Sequence, residues 1–440
     1  MQFKKYPSYK NSSVEWLGVV PEHWGVNRFC YLFDENKKKN IGLQETNVLS
    51  LSYGNIKEKN INDNKGLLPE SFETYQIIES NDIVFRFTDL QNDKRSLRSA
   101  ISKYHGIITS AYIAVKTKQN ADFYNYLFRA YDLQKVFYSM GEGMRQSLKM
   151  DELNKMPVVL PNKDEQKRIV SFLDTETARI DTLIAKQEKL IELLEEQRKS
   201  IISHAVTKGL NPNAPMKDSG VEWLGDVPEH WTVLKNRHIF NFSKGLSITK
   251  ENLQESGIPC VSYGEVHSKF GFEFNPEIDD MKFVSEEYLK TSKNCLLNSG
   301  DFIFADTSED FEGSGNFSYL NSNSQVFAGY HTVIARLKSK QKPRFFAYIF
   351  DSNAHRKQIQ TQVKGIKVFS ITQGILKDIY SWLPPVHEQD LIVEYLDNEC
   401  KKISLLKAKQ IELIEKLKEY RSSIISHAVT GKIDVREFGA

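Results

Sequence analysis

The stretch LPNKDEQKRIVSFLDTETARIDTLIAKQEKLIELLEEQRKSIISHAVTKGL, Leu160 to Leu210, is written a second time as LPPVHEQDLIVEYLDNECKKISLLKAKQIELIEKLKEYRSSIISHAVTGKI, Leu383 to Ile433. The copies align without a gap and share about half their residues, including the run IISHAVT at Ile201–Thr207 and Ile424–Thr430. Internal repetition of this length decides the architecture before any single motif does. In the first copy Ile169, Leu173, Glu176, Ile180, Leu183, Gln187, Leu190 and Leu194 fall on positions alternating four and three apart, and the second copy puts Ile392, Leu396, Glu399, Ile403, Leu406, Gln410, Leu413 and Leu417 on the same seam. That spacing is the heptad of a coiled coil. Neither copy has Gly or Pro between its opening and its IISHAVT end, while Pro161 and the pair Pro384-Pro385 stand where helices start. A helix from Glu165 to Val206 is roughly 60 Å long. It has too little to bury alone and needs a partner, and the other copy is the obvious one.

Outside the long repeat a shorter one recurs: VEWLGVVPEHW, Val14 to Trp24, returns as VEWLGDVPEHW, Val221 to Trp231. Between the repeats the chain diverges, yet markers survive in pairs. SYG stands at Ser52–Gly54 and Ser262–Gly264, DIVFRFT at Asp82 parallels DFIFADT at Asp301, and SAYIAVK at Ser110 parallels GYHTVIAR at Gly329. These apolar runs between Gly, Asn, Asp and Ser clusters read as strands joined by loops. The stretches Asp122–Phe137 and Arg344–Gln360 read as helices. The expected fold class is α+β. Two α+β heads are joined by two long helices in an antiparallel intramolecular coiled coil with approximate two-fold symmetry. The expected division is 1–160 for the first head, 161–210 for the first helix, 211–383 for linker and second head, and 384–440 for the second helix and tail. The order of parts is a cycle cut open once, which predicts that the two ends of the chain meet.

Composition bounds the function. The 440 residues carry a net charge of +2 with 26% charged residues, so the total argues neither for nor against nucleic acid, since a basic face can hide in a balanced sum. Cys30, Cys260, Cys295 and Cys400 lie far apart with no CxxC pair, as in reduced thiols of a cytosolic protein. No apolar run approaches the roughly 18 residues of a membrane helix, and the start has no apolar signal segment. The sequence contains no phosphate loop, GxGxxG, HExxH, nuclease PD…(D/E)xK or adenine-methyltransferase (N/D)PP(Y/F) pattern. His204 and His427 recur but stand alone at helix ends, where interaction with terminal carbonyls is the simpler account. His23 and His230 are expected to pack within the repeated PEHW. A self-sufficient nuclease or methyltransferase has these absences against it, and a coiled-coil adaptor for protein partners stays open.

Taken together, VEWLGxxPEHW before a variable head, LPxxxEQxxIVxxLD opening a long helix, and RxSIISHAVT closing it resemble the specificity subunits of Type I restriction–modification systems. The resemblance covers the whole chain in order. The helix-opening motif stands at Leu160, Pro161, Glu165, Gln166, Ile169, Val170, Leu173 and Asp174, and again at Leu383, Pro384, Glu388, Gln389, Ile392, Val393, Leu396 and Asp397. It implies a non-catalytic subunit in which each head is a target-recognition domain for one half of a bipartite, asymmetric duplex DNA target. The helices would set the gap and dock two methyltransferase subunits. It also implies that S-adenosylmethionine, ATP and magnesium belong to those and to motor-nuclease subunits, with no cofactor or metal on this chain. In the first head the candidate DNA contacts are Arg86, Lys94, Arg95 and Arg98, then Arg145, Gln146, Ser147 and Lys149 in GMRQSLKM. In the second they are Lys364, Lys367, Ser370, Thr372 and Gln373 in VKGIKVFSITQ. Arg with guanine and Gln with adenine are the geometrically favoured pairings. Tyr53 and Tyr263, in SYG, are expected to serve core or turn before stacking. The mid-domain loop TSEDFEGSGN is acidic where its counterpart is basic, which argues against one shared contact mode.

Overall fold

In the computed structural model, which describes residues 3–60, 71–88, 90, 97–140, 147–365 and 367–438, the runs DIVFRFT and DFIFADT form the central strands of two sheets of one design. Strand Ile83–Phe85 lies in the antiparallel order Phe33–Glu35, Ile113–Thr117, Ile83–Phe85, Ser99–Ile101. Strand Phe302–Ala305 lies in the order Phe240–Lys244, Thr332–Leu337, Phe302–Ala305, Phe317–Leu320, with Glu273–Phe274 added in parallel at the edge. Both central strands are buried on both faces, which is why they are continuous apolar runs and not alternating ones. Successive side chains point to opposite faces. Phe85 accordingly joins a core with Phe29, Phe33, Phe123 and Phe128, whereas Val84 joins one with Leu49, Leu51, Ile78 and Ile108. Phe302 and Ile303 divide in the same way.

The chain forms two compact units, Met1–Glu188 with Ile411–Ala440, and Lys189–Gln410. In the first, helix Ala121–Leu133 covers one face of the sheet, started by Asn120, whose side chain accepts from the Phe123 amide. It stops before Lys135, which takes a left-handed φ of 62°, and a short helix Val136–Met140 follows. One continuous helix over Asp122–Phe137 is therefore corrected to two. The equivalent stretch of the second unit is also split, into Pro343–Asp351 and Asn353–Gln360, because Ser352 is extended and its hydroxyl caps the second piece at the His355 amide.

The long helices run Lys163–Lys208 and Val386–Val429. Within the first unit they pair antiparallel, with Asp181 against Arg421 at 2.9 Å. Within the second they do so again, with Glu195 against Lys407. Of the expected seam, Ile169, Leu173, Ile180, Leu194, Ile392, Leu396 and Ile403 are buried, and Leu183 and Leu417 half-buried. Leu190, Leu406 and Leu413 are exposed instead. Next to them Ile191 and Lys407 are half-buried and Ile414 is buried, a displacement of one residue. The cause is the drift of a 3.6-residue helix against a 3.5-residue repeat, about 20° per heptad. In the first unit the two ends of the chain meet, the Asp434 amide donating to the Lys4 carbonyl at 2.8 Å and Lys4 pairing with Glu437 at 2.6 Å.

Candidate nucleic-acid interface

The polar residues of the repeated helix opening hold the heads in place, a role that their spacing did not disclose. In the first unit Glu165 pairs with His23 of PEHW at 3.0 Å, Gln166 accepts from the Asn120 amide at 3.0 Å, and Asp174 accepts from the Tyr126 hydroxyl at 2.8 Å. In the second unit Glu388 takes His230 at 2.8 Å and the Trp231 indole N–H at 3.2 Å, and Gln389 accepts from the Lys342 amide at 3.1 Å. Asp397 accepts from Arg344 Nε at 2.8 Å and the Tyr348 hydroxyl at 2.5 Å. Burial works against the charge on Arg344, but Glu273 and Asp397 overcome it and hold the guanidinium well above its ordinary value. Trp24 and Trp231 of the shorter repeat are fully buried beneath these contacts.

Each head presents a mouth where its central strand and the strand beside it, Ser99–Ile101 in the first head and Phe317–Leu320 in the second, meet the loops. In the first head the Arg86 amide donates to the Arg98 carbonyl at 2.8 Å, and the Leu148 amide reaches the Phe87 carbonyl at 3.4 Å. Segment Ser147–Lys149 is thus drawn beside Arg86, with Ser147 half-buried and Lys149 exposed. In the second head the Ala305 amide donates to the Asn316 carbonyl at 3.1 Å, and Thr307–Ser308 pairs antiparallel with Phe369–Ser370. Lys364 forms a separate antiparallel bridge with Ser370, and Lys364, Lys367, Ser370 and Thr372 are exposed. Thr372 also caps helix Gln373–Asp378, in which Gln373 is half-buried. Both heads therefore bring the segment after the central strand and the late Gly-x-Arg/Lys stretch, far apart in sequence, to one place.

Arg98 departs from its expected role. It is fully buried, with Nη1 donating to the Thr88 carbonyl at 3.2 Å, Nε at 3.5 Å from the Tyr138 hydroxyl, and its own amide donating to Asp132 at 2.9 Å. A buried arginine in such a network supports the strand end and is not presented to a ligand. Arg86 is half-buried. Lys94, Arg95, Arg145 and Gln146 lie outside the described residues. Tyr53 is exposed and left-handed at φ 47°, followed by Gly54 at 73°, the two-residue turn of hairpin Leu49–Ser52/Asn55–Glu58. Tyr263 instead opens a short helix, Tyr263–Ser268. The turn expected of SYG is present in the first head, while Tyr263 is half-buried against a core cluster of the second.

The sequence missed a cleft of about 560 Å³ in the second head, lined by Tyr263, His267, Glu309, Asp310, Asn316 and His331. Four distant segments assemble it, so no local pattern announces it. His267 is fully engaged, Nε2 donating to the Thr307 carbonyl at 2.7 Å and Nδ1 accepting from Asn316 at 2.9 Å. Asn316 in turn accepts from Arg356 at 2.7 Å. Among the described residues there is no group of three or more His, Cys, Asp or Glu placed to hold a metal. His204 and His427 are exposed on the last turns of the long helices. No helix is long and apolar enough to cross a membrane.

Two heads of one design with different chemistry at their mouths, each fastened to paired long helices, define a two-headed recognition scaffold. The model of the Type I restriction modification DNA specificity domain matches residues 100–193 and 228–416, and the chain belongs to that family. It is 26% identical over 446 residues to the Type I restriction enzyme MjaVIII specificity subunit of Methanocaldococcus jannaschii, covering 99% of this chain and 98% of that protein. The Type I restriction enzyme EcoKI specificity subunit of Escherichia coli is 22% identical over 48% of this chain and 44% of its own. Among solved structures, the HsdS subunit from Thermoanaerobacter tengcongensis shares the fold at a TM-score of 0.55 and 15% identity, over 94% of this chain and 98% of that one. A chain from work on complex assembly and conformational transition of the type I R-M system matches at 0.68 and 16%, over 93% and 98%. Its relatives being specificity subunits, the chain is a non-catalytic part of such a system.

Proposed function

We propose that this chain is the cytoplasmic address subunit of its complex, each head reading one half of a bipartite, asymmetric sequence in duplex DNA. The observation that carries the reading is the pair of mouths: one construction, with Arg86 and Lys149 at the first and a carboxylate-rich cleft beside Lys364 and Lys367 at the second. Phosphate contacts set register and base-edge contacts carry sequence, so two unlike mouths suit two unlike half-sites. The long helices set the gap between the half-sites and dock two adenine-methyltransferase subunits. Those partners supply S-adenosylmethionine chemistry on a base flipped from the duplex, and motor-nuclease subunits supply ATP and magnesium for cleavage. This chain binds none of these cofactors.

Co-expression with a cognate modification subunit, followed by single-base mapping of methyladenine across a genome, tests the reading. A two-part asymmetric motif with a fixed gap supports it. A stable protein that neither assembles nor shows salt-dependent DNA binding overturns it and leaves a protein-binding adaptor.

A further inference from the structure

We propose that the second head discriminates its half-site through the cleft at its mouth, where His331, Tyr263 and Glu309 meet a base edge carrying an exocyclic amino group, cytosine N4 or adenine N6. The inference rests on the DNA-reading role proposed above and adds the residues and their chemistry.

His331 is the first indication. It stands at a left-handed φ of 54°, a conformation that costs an L-residue with a Cβ roughly 1–2 kcal/mol. Core burial does not offset that cost, because 57% of its side chain is exposed. The fold instead holds the ring between Asp306, 3.1 Å from Nδ1, and Tyr263, whose ring centroid lies 5.4 Å away and edge-on. With Asp306 accepting from Nδ1–H, the neutral imidazole keeps Nε2 as a lone-pair acceptor. Nε2 makes no hydrogen bond among the described residues. An exposed ring, strained in backbone and held at Nδ1 by Asp306, is pre-organised to offer Nε2.

The rest of the wall has the same polarity. Glu309 is exposed and makes no hydrogen bond or ion pair among the described residues. Asp310 accepts from the Gly313 amide at 2.5 Å. His267 donates to the Thr307 carbonyl and accepts from Asn316, whose own carbonyl oxygen accepts from Arg356, so these two position the wall and offer little to a ligand. A cleft lined by acceptors repels phosphate and suits a donor, and in the major groove the base-edge donors are cytosine N4 and adenine N6. The exposed Lys364 and Lys367, on the hairpin paired with Thr307–Ser308, supply the positive charge that holds the backbone nearby. The first head gives the contrast. By the matching backbone bonds, Arg86 stands where the second head has Ala305, and Arg98 where it has Asn316. Of these only Arg86 is a cation outside the core, so at that position the first mouth carries a charge where the second has a methyl group.

The test uses the full chain assembled with its modification subunits and compares methylated motifs for wild type, His331→Gly, His331→Asn and Glu309→Gln. Glycine and asparagine tolerate the left-handed backbone, so the His331 variants are expected to keep the melting temperature of wild type. The expected result is a loss of roughly tenfold or more in discrimination at one or two cytosine or adenine positions of the second half-site, the first half unchanged. Folded variants that mark the wild-type motif with wild-type preference overturn the inference, as does relaxation confined to the first half-site. A wild-type complex that marks no two-part sequence overturns the DNA-reading role itself, a separate and recognisable failure.

Discussion

Leu396 and Leu406 occupy the same expected seam of the same helix, and truncating each to alanine should have very different effects. Leu396 is fully buried in a cluster with Trp231, Phe345, Phe346 and Ile392. Leu396→Ala removes roughly three CH2 equivalents at about 0.8 kcal/mol each and leaves a cavity that the surrounding aromatic rings cannot close. The expected loss is about 3–4 kcal/mol. Leu406 is 45% exposed. Its truncation forfeits at most about half the transfer term, leaves no cavity because water fills the space, and gains slightly in helix propensity, for a net loss under about 1 kcal/mol. For a unit the size of Lys189–Gln410, where about 1 kcal/mol moves the midpoint by 2–4 °C, the first variant should lower its melting by roughly 6–16 °C and the second by a few degrees at most. Differential scanning calorimetry of the full chain reads both. Equal losses would refute the drift argument and show that the heptad seam is continuous after all.

Acid should weaken the second unit through His355, which is fully buried and whose pKa burial pushes down to about 3. The unfolded chain takes up this proton below about pH 6.5 and the folded one does not, so stability falls as pH drops through that window, by about 2 kcal/mol at pH 5. Urea unfolding at pH 7 and pH 5 should show that loss in wild type and much less of it in His355→Gln. Arg98→Ala should cost the first unit about 3–5 kcal/mol, since it strands the buried partners of the guanidinium. Any fall in DNA binding should then track the fall in melting temperature, and weakened binding without lost stability would restore Arg98 as a contact. Inserting one heptad into both long helices, about 10 Å of rise, should lengthen the unspecified gap of the methylated motif while leaving both half-sites intact. An unchanged gap would show that the helices do not set it.

What the sequence made legible was periodic or repeated. The two long helices, the paired central strands and the meeting of the chain ends follow from duplication, because a repeat written twice must satisfy the same burial twice. The failures came where a property depends on neighbours distant in sequence. Arg98 lies in a polar loop and looks like a surface charge until Asp132 and Tyr138, from the covering helices, close over it. The heptad spacing marks a side of the helix but not the rotation that shifts burial from Leu413 to Ile414. SYG is three letters long and cannot say whether a hairpin turn or a helix start will follow. The cleft around His331 draws on four segments, and only the folded sheet places Asp306 and Tyr263 beside it.

The fastening of each head by one Glu, one Gln and one Asp of the adjoining helix has a consequence for how such proteins change. Glu165, Gln166 and Asp174 in one unit and Glu388, Gln389 and Asp397 in the other present the same sockets to whichever head is attached. A genetic crossover inside the repeated helix stretch therefore joins a foreign head to a socket it already fits. Because the mouth lies outside the socket, the new vocabulary arrives without renegotiating the grip. Specificity can evolve by shuffling whole words, with no intermediate that is half of one word and half of another.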